Sequence, residues 1–143
     1  MKRISSKATV YLIDGSNFSR SFWSGRQGGA APDALETEFL NWLDAVSRLQ
    51  VLSLSHFRVV FDGGYRPVRG LPNPSVNLYF SEHESADDFL LEHSYFLSAE
   101  GARCVIVTND REIREKAAKE KLMSIPCDAF YRLCEDELGK ESR

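Results

Sequence analysis

Short apolar runs alternate along the chain with stretches whose apolar residues recur every three or four positions. Ala8-Thr9-Val10-Tyr11-Leu12-Ile13 reads as a buried strand that stops at Asp14-Gly15. Phe57-Arg58-Val59-Val60-Phe61 is a second strand, stopping at Asp62-Gly63-Gly64, and Val76-Asn77-Leu78-Tyr79-Phe80 a third. Ala102-Arg103-Cys104-Val105-Ile106-Val107 is a fourth, ending at Thr108-Asn109-Asp110, and Leu122-Met123-Ser124-Ile125 a short fifth. Between them lie helical patterns. Residues 33–49 place Leu35, Phe39, Trp42, Leu43, Val46 and Leu49 on one face, with Asp33 and Glu36 spaced as a capping box. Residues 85–98 open with Ser85 and Asp88 at the same spacing. Residues 111–119 are a charged helix, and a final helix runs from Pro126, with 138–143 as a frayed tail. Strands that alternate with helices predict an α/β fold: a parallel sheet of about five strands with helices on both faces. The chain is expected to be a single domain, 1–143, with its core in 8–137.

Composition narrows the class. With 143 residues, 43% hydrophobic and 27% charged, the chain has ordinary globular proportions and enough length to fold unaided. It has no run of 18 apolar residues, so no membrane partner is expected, and its N-terminus lacks the apolar core of a secretory signal. Eighteen basic against 21 acidic residues give a net charge of −3, which argues against holding nucleic acid by bulk charge. Cys104, Cys127 and Cys134 are odd in number and include no CxxC, so plain thiols in a reducing cytoplasm are expected.

The informative feature is where the acids fall. Three apolar strands run into aspartates, at Asp14, Asp62 and Asp110, and Asp87 and Asp88 open a helix. In a parallel sheet the strands' carboxyl ends share one edge, where ligands bind, so these acids converge. Clustered carboxylates repel and favour a shared cation, and an all-oxygen set suits Mg2+ or Mn2+ rather than zinc. Each acid also has a plainer role. Asp-Gly pairs make turns, Asp110 fits a helix N-cap, and Asp88 completes the capping box.

These residues resemble the NYN domains of the PIN-like nuclease superfamily. YLIDGSNF is similar to their first strand, VVFDGG to the second, VNLYFSEHESADDFL to the segment with the SADD signature, and VIVTNDREI to the strand end with the last acid. The likeness spans about residues 8–125 and is nearest to the small YacP-like NYN proteins. It implies a three-layer, Rossmann-like sandwich and a metal-dependent endoribonuclease. By the same resemblance Asp14, Asp62, Asp87 and Asp110 are the catalytic, metal-holding carboxylates. Asn17, Ser85, Asp88, Thr108 and Asn109 would support them or position the substrate. Asn109 stands where serine is common in the family.

The expected partner is RNA. Arg66 and Arg69 beside Tyr65, and Arg20 and Arg26 around Phe22 and Trp23, combine cations with rings that suit phosphates and stacked bases. Phe22 fits the core better. The mixed run Arg111, Arg114, Lys116 and Lys119 reads as a solvated face, and His93 as a packed core residue. His83 alone among the histidines is expected near the acids. Two other enzymes are disfavoured. A haloacid-dehalogenase-type phosphatase needs a second acid where Ser16 stands, and a receiver domain needs a lysine where Ser124-Ile125-Pro126 stand. No nucleotide cofactor is implied. The alternative is a non-catalytic module that binds RNA or a protein partner, and the small size leaves room for a homodimer.

Overall fold

Five strands pair into one parallel sheet: β1 (Val10–Asp14), β2 (His56–Phe61), β3 (Val76–Phe80), β4 (Cys104–Val107) and β5 (Met123–Ile125). Their order across the sheet is β3-β2-β1-β4-β5. The structure is a computed structural model that describes residues 3–23, 32–67 and 73–141. The helices are α1 (Gly15–Trp23), α2 (Pro32–Ser47), α3 (Ala86–Ala99), α4 (Arg111–Lys119) and α5 (Cys127–Glu141).

The two-residue alternation of the strands sorts the helices into layers. Tyr11, Ile13, Phe57, Val59, Phe61, Val105 and Val107 face a core built with Phe18 of α1, Phe39 and Leu43 of α2, and Phe130 of α5. Leu12, Val60 and Cys104 point the other way, onto Ala86 and Leu90 of α3. Ile106 does the same onto Ile113 and Ala117 of α4. Each fully buried side chain of this size contributes about 1.5–3 kcal/mol of burial free energy. The expected α/β sandwich is therefore present, with the sheet between two helical layers.

Three local features differ from the sequence reading. Residues 15–23 form α1, although Gly15, Ser16, Asn17, Ser19 and Ser21 are weak helix formers. Tertiary contacts override that weakness: Phe18 is fully buried, and Phe22, one turn on, stacks on Tyr131 at 4.4 Å. The helix after residue 32 ends at Ser47, and Gln50–Leu52 tighten into a 3-10 turn. The tail expected from residue 138 is instead helical to Glu141, where the Glu141 carboxylate accepts from the Gln50 amide at 2.9 Å.

The sheet has a switch point. The chain leaves β1 toward β2 and β3, then returns to the other side of β1 for β4 and β5. The crevice outside the carboxyl ends of β1 and β4 is the place where such folds bind ligands.

Candidate active site at the carboxyl edge of the sheet

Asp14 is the last residue of β1 and sits at that switch point, only 6% exposed. Its Oδ1 accepts from the Asn17 amide at 3.2 Å, and its Oδ2 accepts from the Thr108 hydroxyl at 3.2 Å. The first bond caps α1, and the second ties β1 to the exit of β4. Burial raises the Asp14 carboxyl to about 6, with Asp62 and Asp87 adding repulsion, while the two hydrogen bonds oppose the rise. Gly15 lets the chain turn here. A Cβ on it would meet Val59 Cγ1 at 2.6 Å and the Phe61 ring at 2.7 Å.

The other acids surround this point. Asp62 follows β2 and is exposed. Its amide donates to Ser16 Oγ at 2.9 Å, and Gly63 after it takes φ +94°. Asp87 lies exposed in the first turn of α3, whose cap is Ser85 Oγ accepting from the Asp88 amide at 3.1 Å. Loss of hydration raises the Asp87 carboxyl, and Asp110, Asp62 and Asp88 raise it further, against Lys116. Asp110 caps α4 by accepting from the Glu112 and Ile113 amides at Oδ1, at 2.9 and 3.3 Å. The four strand-end and helix-start acids therefore share one electrostatic environment. Among the described residues, no three His, Cys, Asp or Glu side chains close on a single point as a ready-made metal cage would.

The residues behind the carboxylates form a brace. Asn17 Oδ1 accepts from the Asn109 amide at 3.1 Å and from Cys127 Sγ at 3.5 Å. Asn109 Oδ1 accepts from the Cys127 amide at 2.8 Å, and its Nδ2 donates to Asp128 at 3.0 Å. Asn17 and Asn109 thus tie α1, the β4 exit and the start of α5 together. Asn17 Oδ1 and both ends of the Asn109 amide are engaged within the protein. Asp88 gives its backbone amide to the Ser85 cap, and its carboxylate adds to the rise of Asp87.

Arg66 departs from its expected part. Its guanidinium donates to Glu36 Oε1 at 3.0 Å, and to the Asp62 and Gly64 carbonyls at 3.1 and 2.9 Å. It also lies over the Phe61 and Phe80 rings, 5.6 and 5.1 Å from their centroids. An arginine expected to meet RNA phosphates is instead a brace for the loop after β2. The Glu36 carboxylate, expected in a capping box, is the partner it needs. Arg20 is exposed on α1, while Arg26 and Arg69 lie outside the described residues. His93 stacks on Phe89 at 4.0 Å, and burial lowers its pKa, as a packed histidine should behave. His83 is exposed in the turn before α3. Beside the acids, a groove of about 800 Å3 runs between α3 and α4, bordered by Asp88, Tyr95, Lys116 and Leu122.

Sequence reasoning missed Ser16, Glu36, Cys127 and Asp128 as parts of this scaffold. Only Ser16, inside the Asp-Gly-Ser-Asn string, carried a local signal.

No protein-family model matches the sequence, and no curated protein matches it. Solved structures do. The crystal structure of Rae1 (YacP) from Bacillus subtilis gives a TM-score of 0.71 at 16% identity, covering 94% of this chain and 78% of that one. The fold is that of YacP. A tryptophan-to-leucine mutant of the same YacP gives 0.72 at 15% identity, covering 92% of this chain and 78% of that one. YacP is an NYN-domain protein, so the likeness first read from strand-end strings agrees with the three-dimensional fold. Among the described residues, no helix is long and apolar enough to cross a membrane.

Proposed function

We propose that this protein is a divalent-metal-dependent ribonuclease that hydrolyses RNA phosphodiester bonds at Asp14, Asp62, Asp87 and Asp110. The YacP-type fold supports a nuclease of this general kind. The observation that carries the reading is the position of the acids: buried Asp14 ends β1, Asp62 follows β2, Asp87 opens α3 and Asp110 caps α4, all at the carboxyl edge of the sheet. Burial raises Asp14 to about 6 and loss of hydration raises Asp87, with neighbouring aspartates adding to both rises. A buried carboxylate beside like charges is costly unless a cation offsets it. The donors are all hard oxygens, which fits Mg2+ or Mn2+.

Asp14, Asp87 and Asp110 would hold the ion, with Asp62 beside it. Bound there, a divalent cation makes water more acidic and offsets charge developing on the phosphate. The chain's own groups supply the order. Thr108 and Asn17 pin both oxygens of Asp14. The helix-capping amides hold Asp110 Oδ1, and the cap does not use Oδ2. Asp62 and Asp87 are exposed, so their side chains have room to turn inward.

The test is thermal melting with Mn2+, Mg2+ or EDTA. Metal that binds only the folded chain raises the melting temperature, and Asp14→Asn should remove the rise. An unchanged melting temperature in wild type contradicts the metal site. A second reading, a module that binds RNA or a protein without cutting it, draws on one observation: the acids do not already form a closed cage among the described residues. Metal-independent RNA binding without cleavage would favour it.

A further inference from the structure

Tyr65 lies three residues beyond Asp62 on the same edge of the sheet and is 75% exposed. It is nevertheless held in place. Its amide donates to Glu82 Oε1 at 3.2 Å. Its ring stands edge-on to Phe80, with centroids 5.5 Å apart and planes at 77°. Behind Phe80 lies the Arg66 guanidinium, which is bonded to the Asp62 and Gly64 carbonyls on either side of the turn and paired with Glu36. The loop is therefore braced from within, and the face it presents outward is a phenol ring.

A large ring with a structural duty is normally buried. This one is exposed and anchored beside the proposed reaction centre. The sequence offers this loop's arginines to phosphates and its ring to stacked bases. In the structure the Arg66 guanidinium is paired with Glu36, and Glu82 holds the Tyr65 backbone amide while the ring stays exposed. Such a loop is suited to a base rather than a phosphate. A π face accepts any base, without reading its edge.

We propose that Tyr65 is a stacking platform for one base of a single-stranded RNA whose scissile phosphate lies at the aspartates. This rests on the ribonuclease reading and adds to it a residue that positions the strand. A base locked in a duplex stack cannot occupy the platform.

The test is fluorescence anisotropy with a labelled short oligoadenylate and an abasic ribose-phosphate oligomer of the same length. Binding is measured in EDTA with the aspartates intact, so that the strand is not cut. Tyr65→Ala should weaken oligoadenylate binding about fivefold or more, the low end for one stacked base, and leave abasic binding unchanged. Tyr65→Phe keeps the ring and should bind as the parent does. Melting temperatures near the parent's would show that both variants are folded, as expected for an exposed side chain. Equal oligoadenylate binding by Tyr65→Ala and its parent overturns the platform and leaves the ribonuclease reading to the cleavage assay. Equal losses on both oligomers also overturn it. No binding of either oligomer by the parent overturns the platform together with the reading it rests on.

Discussion

Thr108 donates its hydroxyl to Asp14 Oδ2 at 3.2 Å, across 94 positions of sequence. The Thr108 hydroxyl oxygen in turn accepts from the Asp110 amide at 3.1 Å. One buried side chain therefore registers the ends of β1 and β4 against each other and sets the spacing of two acids at the switch point. Replacing it with valine keeps the shape and removes both bonds. Thr108→Val should cost about 2 kcal/mol, since a buried carboxylate loses a hydrogen-bond donor. Urea denaturation would measure this, and a change below a few tenths would contradict the registering role.

Stability should depend on pH through Asp14. The folded chain holds the Asp14 proton more tightly than the unfolded chain, whose value is 3.8 against about 6 when folded. Its contribution is complete below pH 3.8 and is lost as pH rises through about 6. In EDTA, the loss across that window should be of order 2–3 kcal/mol. Asp14→Asn should flatten this part of the profile. The check is urea unfolding of both proteins across the window, and identical slopes would contradict the shift.

Asp110 has two separable duties. Asparagine caps a helix about as well as aspartate, so Asp110→Asn should leave stability within a few tenths of a kcal/mol. Asp110→Ala should lose about 1 kcal/mol with the cap. Both should lose the melting-temperature gain from Mn2+. Equal stability of the two variants would show that the cap contributes little.

Arg66→Ala should destabilise more than an exposed arginine does. It leaves the Glu36 side chain, 8% exposed, as an unpaired acid, and it loosens the loop that carries Tyr65. Breaking such a pair costs about 2–4 kcal/mol, somewhat below a fully buried one because Arg66 is 28% exposed. Pairing Arg66→Met with Glu36→Gln should recover most of the loss, measured as a double-mutant cycle.

The strand positions were legible because each apolar run is short and rich in β-branched or aromatic residues, and three of the five run into an aspartate. That ending also exposed the site, since a parallel sheet brings strand ends to one edge. Helix α1 was hidden because Gly15, Ser16 and Asn17 read as a turn. Its cap is the Asp14 carboxylate, which the sequence had already given another role. The Arg66–Glu36 pair was not legible because Glu36 lies 30 residues earlier, and local pattern carries no sign of that pairing. The brace from Asn17 to Asn109 and Cys127 was equally out of reach, since it joins three elements distant in sequence.

The most direct test of the account is cleavage of end-labelled single-stranded RNA with Mn2+ or with EDTA, comparing wild type with Asp14→Asn and Asp110→Asn. The account predicts cleavage by wild type in Mn2+, none in EDTA, and a large loss in both variants. Cleavage that persists in EDTA, or that survives in both variants, would contradict it.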